Sequence, residues 1–318
     1  MTGKRNHMNL KAKAKALWKN TYRRRGLLLL ALPGIIVMFL WEYIPLYGLT
    51  IAFKDFNIAD GIFGSPWNGL DNFKIFVTSK RVIWRIIRNT VGYWALFTVL
   101  GMFCNVGLAL LLNECRSKRF KKYAHTIMIA PTFVSIVAVV FITKAFLLPD
   151  GIINQIITAL GGKPIQFYAN AKYWPVILTA VQLIKNTGYG AIIYLAAMAG
   201  IDQSLYEAAD IDGATHFQRV TKITIPMVVP LISIQMISSL GSIMTSNTGI
   251  FYQIPLQIGT LYPTTQTIDS YIFAALVDGN TQYGMTSAIT FLQATVGLIM
   301  VLVGNGIVRR INDENSLF

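Results

Sequence analysis

Residues 206 to 230 read YEAADIDGATHFQRVTKITIPMVVP, an amphipathic, acidic segment with one glycine, set between two long apolar runs. Ser204, followed three residues later by Glu207, predicts a capping box that satisfies free N–H groups at a helix start. Asp202 stands as an alternative cap. Ala208 and Ala209 leave room for a close-packed partner, and Gly213 supplies a helix end or sharp turn. A second short helix is expected from Ala214 to Thr224, running to Pro226 as a first-turn proline of the next helix. Two short helices held against a membrane form a docking handle. The plain alternative is a surface helix linking two spans.

The membrane follows from composition. The chain has 318 residues, 54% hydrophobic and only 13% charged. A crossing needs about 20 apolar residues for roughly 30 Å of hydrocarbon. Six stretches qualify: Leu27–Tyr47, Asn89–Asn113, Tyr123–Leu148, Tyr173–Gly200, Pro226–Asn247 and Met285–Val308. The fold class is therefore all-α and polytopic. The first stretch is not a cleaved secretory signal, because the bulky Trp41-Glu42-Tyr43-Ile44-Pro45 follows its apolar core.

Lysine and arginine placement sets orientation. The N-terminal arm, the loop with Arg116, Lys118, Arg119, Lys121 and Lys122, and the tail with Arg309 and Arg310 fall on one side of six spans. The segment from Gly249 to Tyr283 falls on the other and has no lysine or arginine. Both termini and the 206–224 segment are thus expected in the cytoplasm. One outer loop runs against this, since basic residues are frequent from Lys54 to Arg88. Lys80, Arg81, Arg85 and Arg88 alternate with Val82, Ile83, Trp84, Ile86 and Ile87, which predicts an amphipathic helix lying in the interface. The net charge of +14 sits largely beside spans, where it meets anionic lipid, and no nucleic-acid-binding pattern accompanies it.

Several chemistries are excluded. There is no Gly-x-x-x-x-Gly-Lys-Ser/Thr loop for ATP, no His-Glu-x-x-His pair and no Gly-x-Ser-x-Gly elbow. Cys104 and Cys115 are about 16 Å apart along one helix, too far for a disulfide. They read as packing thiols. An enzyme would have to be an unrecognised membrane hydrolase.

Polar residues within spans are candidates for a path. Lys185 is the ionisable group nearest the middle of a span, with Gln182, Asn186 and Tyr189 on the same broad face. Its competing role is to pair with a carbonyl or acid of a neighbouring helix. The fifth span carries Gln235, Ser238, Ser239, Ser242 and Ser246 at helical spacing, and the sixth carries Thr286, Thr290, Gln293 and Gly297. Small and hydroxyl residues also pack membrane helices. Gln235 and Gln293 are the stronger path candidates, because a long amide has little reason to face lipid. Tyr93 and Phe97 lie one turn apart and could stack on a sugar face or pack the core.

The 206–230 segment resembles the cytoplasmic coupling loop of permease subunits of binding-protein-dependent ABC importers. Glu207, Ala208, Ala209, Asp212, Gly213, Ala214, Ile223, Pro226 and Pro230 match that pattern in register. Val220 departs from it where an aromatic is usual. Tyr43-Ile44-Pro45-Leu46-Tyr47-Gly48, Ala52-Phe53-Lys54-Asp55-Phe56 and Gly69-Leu70-Asp71-Asn72-Phe73 resemble the oligosaccharide and polysaccharide group, and Lys185-Asn186-Thr187-Gly188-Tyr189 resembles the fourth-span region of sugar-importer permeases.

The resemblance implies a type I ABC importer permease fold: a basic arm over 1–26, a permease domain over 27–308 with its coupling loop at 201–225, and a tail over 309–318. It implies docking on a cytosolic ABC ATPase dimer through Tyr206, Glu207, Ala208, Ala209, Asp212, Gly213, Ala214 and Phe217. Further expected partners are a second homologous permease, an extracytoplasmic sugar-binding protein and bacterial plasma-membrane lipid. No cofactor is expected in this chain; ATP and magnesium belong to the ATPase. The rival readings are a scaffold that docks a cytosolic partner and an ion-coupled secondary transporter. The transporter would need inverted repeats and broken helices, and no repeat is visible.

Overall fold

The structure, a computed structural model, describes residues 25–115, 117–277 and 282–311. The basic arm up to Arg24, Arg116 and the tail after Ile311 lie outside the described residues. Among the described residues there is no strand, only an isolated antiparallel bridge between Lys54 and Trp67. Six helices are long and apolar enough to cross a membrane.

Helix α1 runs Arg25–Phe53, with Pro33 inside it and a π turn over Phe39–Tyr43 that holds Glu42. From Arg25 to Leu46 it buries no residue against the rest of the chain. A helix apolar on all sides and covered by nothing has the surface that hydrocarbon requires.

Helix α2, Lys80–Glu114, is a single rod of 35 residues. The interfacial helix expected over Lys80 to Arg88 is thus the first turns of the second span. Nothing after Arg88 breaks the helix, and Ile83 and Ile86 point into the core. Three cations of the Lys54–Arg88 stretch are bonded within the chain. Arg85 donates to the Gln266 side chain, Arg88 to the Pro263 carbonyl at 2.7 Å, and Lys54 to the Ile62 carbonyl. Lys54 also lies 5.0 Å from the centre of the Trp67 ring.

The third crossing is broken where sequence predicts one helix over Tyr123–Leu148. Helix α3, Lys118–Ile129, passes into a 3-10 turn over Ala130–Phe133, and α4, Ile136–Leu147, starts afresh. Val134 and Ser135 between them are extended. Pro131 removes an N–H at the break, and Ser135 caps α4 by accepting from the Ala138 N–H. Helix α5, Ile152–Ala159, follows after a bend, so the apolar run long enough to cross is Ile136–Ala159.

Helix α6, Trp174–Ala199, packs along α2 and α3. Its Lys185 ammonium donates to the carbonyls of Val134 at 2.6 Å, Thr132 at 3.1 Å and Pro131 at 3.5 Å. Thr132 returns a bond to the Lys185 carbonyl at 2.9 Å. The lysine therefore satisfies the loose carbonyls at the end of α3, where the helix dipole also favours a cation. One turn on, Gly188 makes this approach possible: a Cβ there would stand 1.8 Å from the Met128 carbonyl oxygen.

Helix α7, Gln203–Ile211, leads through a turn to α8, His216–Leu240. The second short helix expected from Ala214 to Thr224 is no separate element; it is the root of the fifth span. A π turn over Val220–Thr224 precedes Pro226, and its wider loop carries the backbone past the missing N–H. Helix α8 stops at Leu240, short of the expected Asn247, because Gly241–Met244 turn away. Ser242 and Ser246 consequently leave the helical face of Gln235 and Ser239. A segment with the short apolar helix α9, Ile268–Val277, precedes α10, Tyr283–Ile311.

Two outcomes test the weld between α3 and α6. Lys185→Met should lower stability by about 1.5–3 kcal/mol through lost charge-assisted bonds. Gly188→Ala should lower it by about 1–3 kcal/mol through overpacking, whereas Gly92→Ala, with nothing within 4 Å, should not. Thermal unfolding of the purified protein in detergent checks both.

Candidate functional site

Helix α7 begins on Asp202, whose carboxylate accepts from the Ser204 N–H at 3.0 Å. The cap is Asp202 rather than Ser204, and the capping box lies one helix later. There Thr215 accepts from the Gln218 N–H at 3.3 Å, and the Gln218 side chain accepts from the Thr215 N–H at 2.7 Å. Hydrogen bonds from Ser204, first the backbone N–H and then the side chain, hold the Asp202 carboxyl below its ordinary value. The cap is thus complete at neutral pH and is lost only as pH falls through that lowered value.

The turn after α7 has its only positive backbone φ at Gly213, +74°, a conformation that costs glycine little. The Ala214 N–H closes it onto the Ala209 carbonyl at 2.9 Å. Glu207, Ala208 and Asp212 are exposed, while Ala209 and Ala214 are half-buried. Ile211 and Phe217 stand 87% and 74% exposed, two apolar knobs on an otherwise polar surface. Tyr206 differs from its neighbours. Its hydroxyl shares a 2.9 Å hydrogen bond with that of Thr224, which is fully buried at the root of α8.

Two side-chain contacts brace this segment. Arg219 holds Asp210 in a forked contact at 2.6 and 2.8 Å, and His216 lies 3.1 Å from Glu114 at the inner end of α2. Sequence spacing could not reveal either, since the partners are nine and about a hundred residues apart. Glu114 reads in sequence as a solvated charge.

A groove lies between α2, α6 and α8. It consists of two hollows of ≈ 340 and ≈ 200 Å³ that share Phe97 and Thr98. The outer hollow is walled by Tyr93, Trp94, Phe97, Gln182 and Phe251, the inner by Asn105, Gln235 and Ser239. No lining residue is charged. Tyr93, Phe97 and Phe251 form an aromatic cluster with centroids 4.6 to 5.9 Å apart. Gln182 Oε1 and Asn105 Oδ1 are buried with no hydrogen-bond partner among the described residues.

The structure thus gathers Tyr93, Phe97, Gln182, Gln235, Ser239, Ser242 and Ser246 on one groove. Lys185, Asn186, Tyr189 and Gln293 stand elsewhere. Lys185 is held on the carbonyls of the broken span. Gln293 is buried and donates to the Met244 carbonyl at 2.6 Å, with Asp269 at 3.4 Å. Asn186 bonds its own helix at Gln182, and Tyr189 is exposed outside the groove. Asn105 and Phe251 were not legible as groove residues. Asn105 gave only a polar residue in an apolar run, and Phe251 lies after the fifth span.

Residues 98–313 match the family described as the binding-protein-dependent transport system inner membrane component. The polygalacturonan/rhamnogalacturonan transport system permease protein YteP of Bacillus subtilis (strain 168) is 33% identical over 306 residues, 96% of this chain and 94% of that protein. A chain of a bacterial ABC transporter involved in import of the acidic polysaccharide alginate superposes with a TM-score of 0.83 at 32% identity, covering 93% of this chain and 99% of its own. A chain of the bacterial alginate ABC transporter in complex with an alginate pentasaccharide-bound periplasmic protein gives 0.82 at 32% identity, covering 93% and 98%. With most of its length matched, the chain belongs to the family of binding-protein-dependent transport system inner membrane components.

Proposed function

We propose that this chain is one permease half of an ATP-driven importer for oligosaccharides, and that it couples to a cytosolic ATPase through α7. The observation that carries this reading is the α7 surface. It is a capped, ion-paired helix with exposed Ile211 and Phe217, rooted directly in a membrane span. Apolar knobs of this kind gain stability when a partner covers them. Both termini and α7 are cytoplasmic in this reading. An extracytoplasmic binding protein delivers sugar, a second permease completes the path, and ATP and magnesium are bound by an ATPase pair.

The groove suits a sugar. Trp94 and Phe97, partly exposed along the groove, offer ring faces for apolar C–H surfaces, and Thr98, Gln235 and Ser239 offer polar atoms to hydroxyl groups. Polysaccharide and alginate transport are named for the relatives, and they support a saccharide cargo here. An ion-coupled transporter fits less well, since the groove has no titratable carboxylate or amine and Lys185 is fixed on carbonyls.

Uptake should require the co-expressed ATPase; uptake without it would end this reading. Gly213→Pro should remove binding-protein-stimulated ATP hydrolysis in liposomes while the spans stay folded. Gln235→Leu should reduce uptake per intact complex about tenfold, the effect of losing one or two hydrogen bonds to cargo. Topology has its own assay in a background without Cys104 and Cys115. An impermeant maleimide should label Leu160→Cys from outside and Ile211→Cys only from inside. Both side chains are more than four-fifths exposed, whereas Thr265, on the same outer segment as α9, is buried.

A further inference from the structure

We infer that Tyr206 is a positioning residue that hands motion of α7 to the fifth span through Thr224, and that its hydroxyl does not act at the ATPase surface. This rests on the coupling role proposed for α7.

Helix α7 has two covalent neighbours, α6 through Gly200–Asp202 and α8 through Asp212–Thr215. Its side-chain bonds are not shared equally between them. Apart from the local Asp202 cap, the side-chain bonds of α7 among the described residues go to α8: Tyr206 to Thr224 at 2.9 Å and Asp210 to Arg219 at 2.6 Å. The two differ in kind. Arg219 lies on the exposed side, where an ion pair is screened and contributes little. Thr224 is fully buried, so its hydroxyl has no water to exchange for Tyr206.

The position of Thr224 gives the contact its consequence. It closes the π turn that precedes Pro226, the place where α8 has its most irregular backbone. Without a side-chain tie, a π turn beside a proline is where a push on α7 would dissipate as local bending. With the tie, α7 and the part of α8 beyond the π turn move together. From Thr224 to Gln235 and Ser239, α8 rises about 16–22 Å. The same helix, continuous through Pro230 to Leu240, therefore carries the joint at one end and groove-lining side chains at the other.

The test uses the intact complex in proteoliposomes, with Cys104 and Cys115 replaced and Ser239→Cys as reporter. ATP with vanadate is the probe, so no sugar need be identified. In the otherwise unmodified complex, vanadate trapping should change the rate of maleimide labelling at position 239. Tyr206→Phe and Thr224→Val should each reduce that change about fivefold, the effect of one hydrogen bond, while nucleotide trapping persists. The double variant should be no worse than either single one, and Thr224→Ser should restore the response. An unaltered response in both single variants overturns the inference. So does loss of trapping itself in Tyr206→Phe, which would place the hydroxyl on the ATPase. Failure of the unmodified complex to trap nucleotide would instead remove the proposed function beneath it. Thermal unfolding of each variant separates a lost joint from a lost fold.

Discussion

In hydrocarbon a backbone carbonyl without a partner costs several kcal/mol, so a span can break only where the protein supplies donors. The third crossing breaks at Pro131–Ser135, and Lys185 supplies them. Much of the bundle depends on this one ammonium. It lets α4 set off in a new direction, so that Ile136 and Val139 reach the outer core with Phe251, Ile254 and Trp174. That core fixes Tyr93 and Phe251, which form the outer wall of the groove. An ionisable residue in a span is a functional candidate by default. Here three carbonyls at bonding distance account for its charge without cargo or proton.

The parts of the fold legible in sequence are those set by local or periodic signals. Six spans follow from apolar length, and the turn at Gly213 from a residue tolerant of positive φ. What was not legible depends on contacts across the chain. The partner of Lys185 lies more than fifty positions away, and a lysine amid leucines reads the same whether it faces a pore or a helix end. Gln293 was expected on the path because a long amide should avoid lipid. That premise holds, and the Met244 carbonyl satisfies it equally well.

Local rules also left some choices open. Asp202 and Ser204 are both good caps two residues apart, and only the backbone decides between them. The serine stripe of the fifth span assumed one helix to Asn247. Gly241 ends it early, and Ser246 turns to bond Asp269 and Thr267 instead. The cations of the Lys54–Arg88 stretch misled for a different reason. Arg85 and Arg88 sit at the head of a long span and bond to the loop before α9.

The two ends of α8 are secured in different ways, and this shapes how force can pass through it. At the His216 end, Tyr206 and Asp210 of α7 and Glu114 of α2 hold its root. At its other end the helix stops at Leu240; Trp94 holds its last turn by donating to the Ser239 carbonyl at 2.7 Å, and Ser246 anchors the chain beyond on Asp269. A rod stiffly held at its root and tethered by a few bonds at its tip transmits displacement toward the tip. Gln235 and Ser239 lie in the final turns before Leu240. Any displacement of its root would therefore reach the turns in which α8 lines the groove.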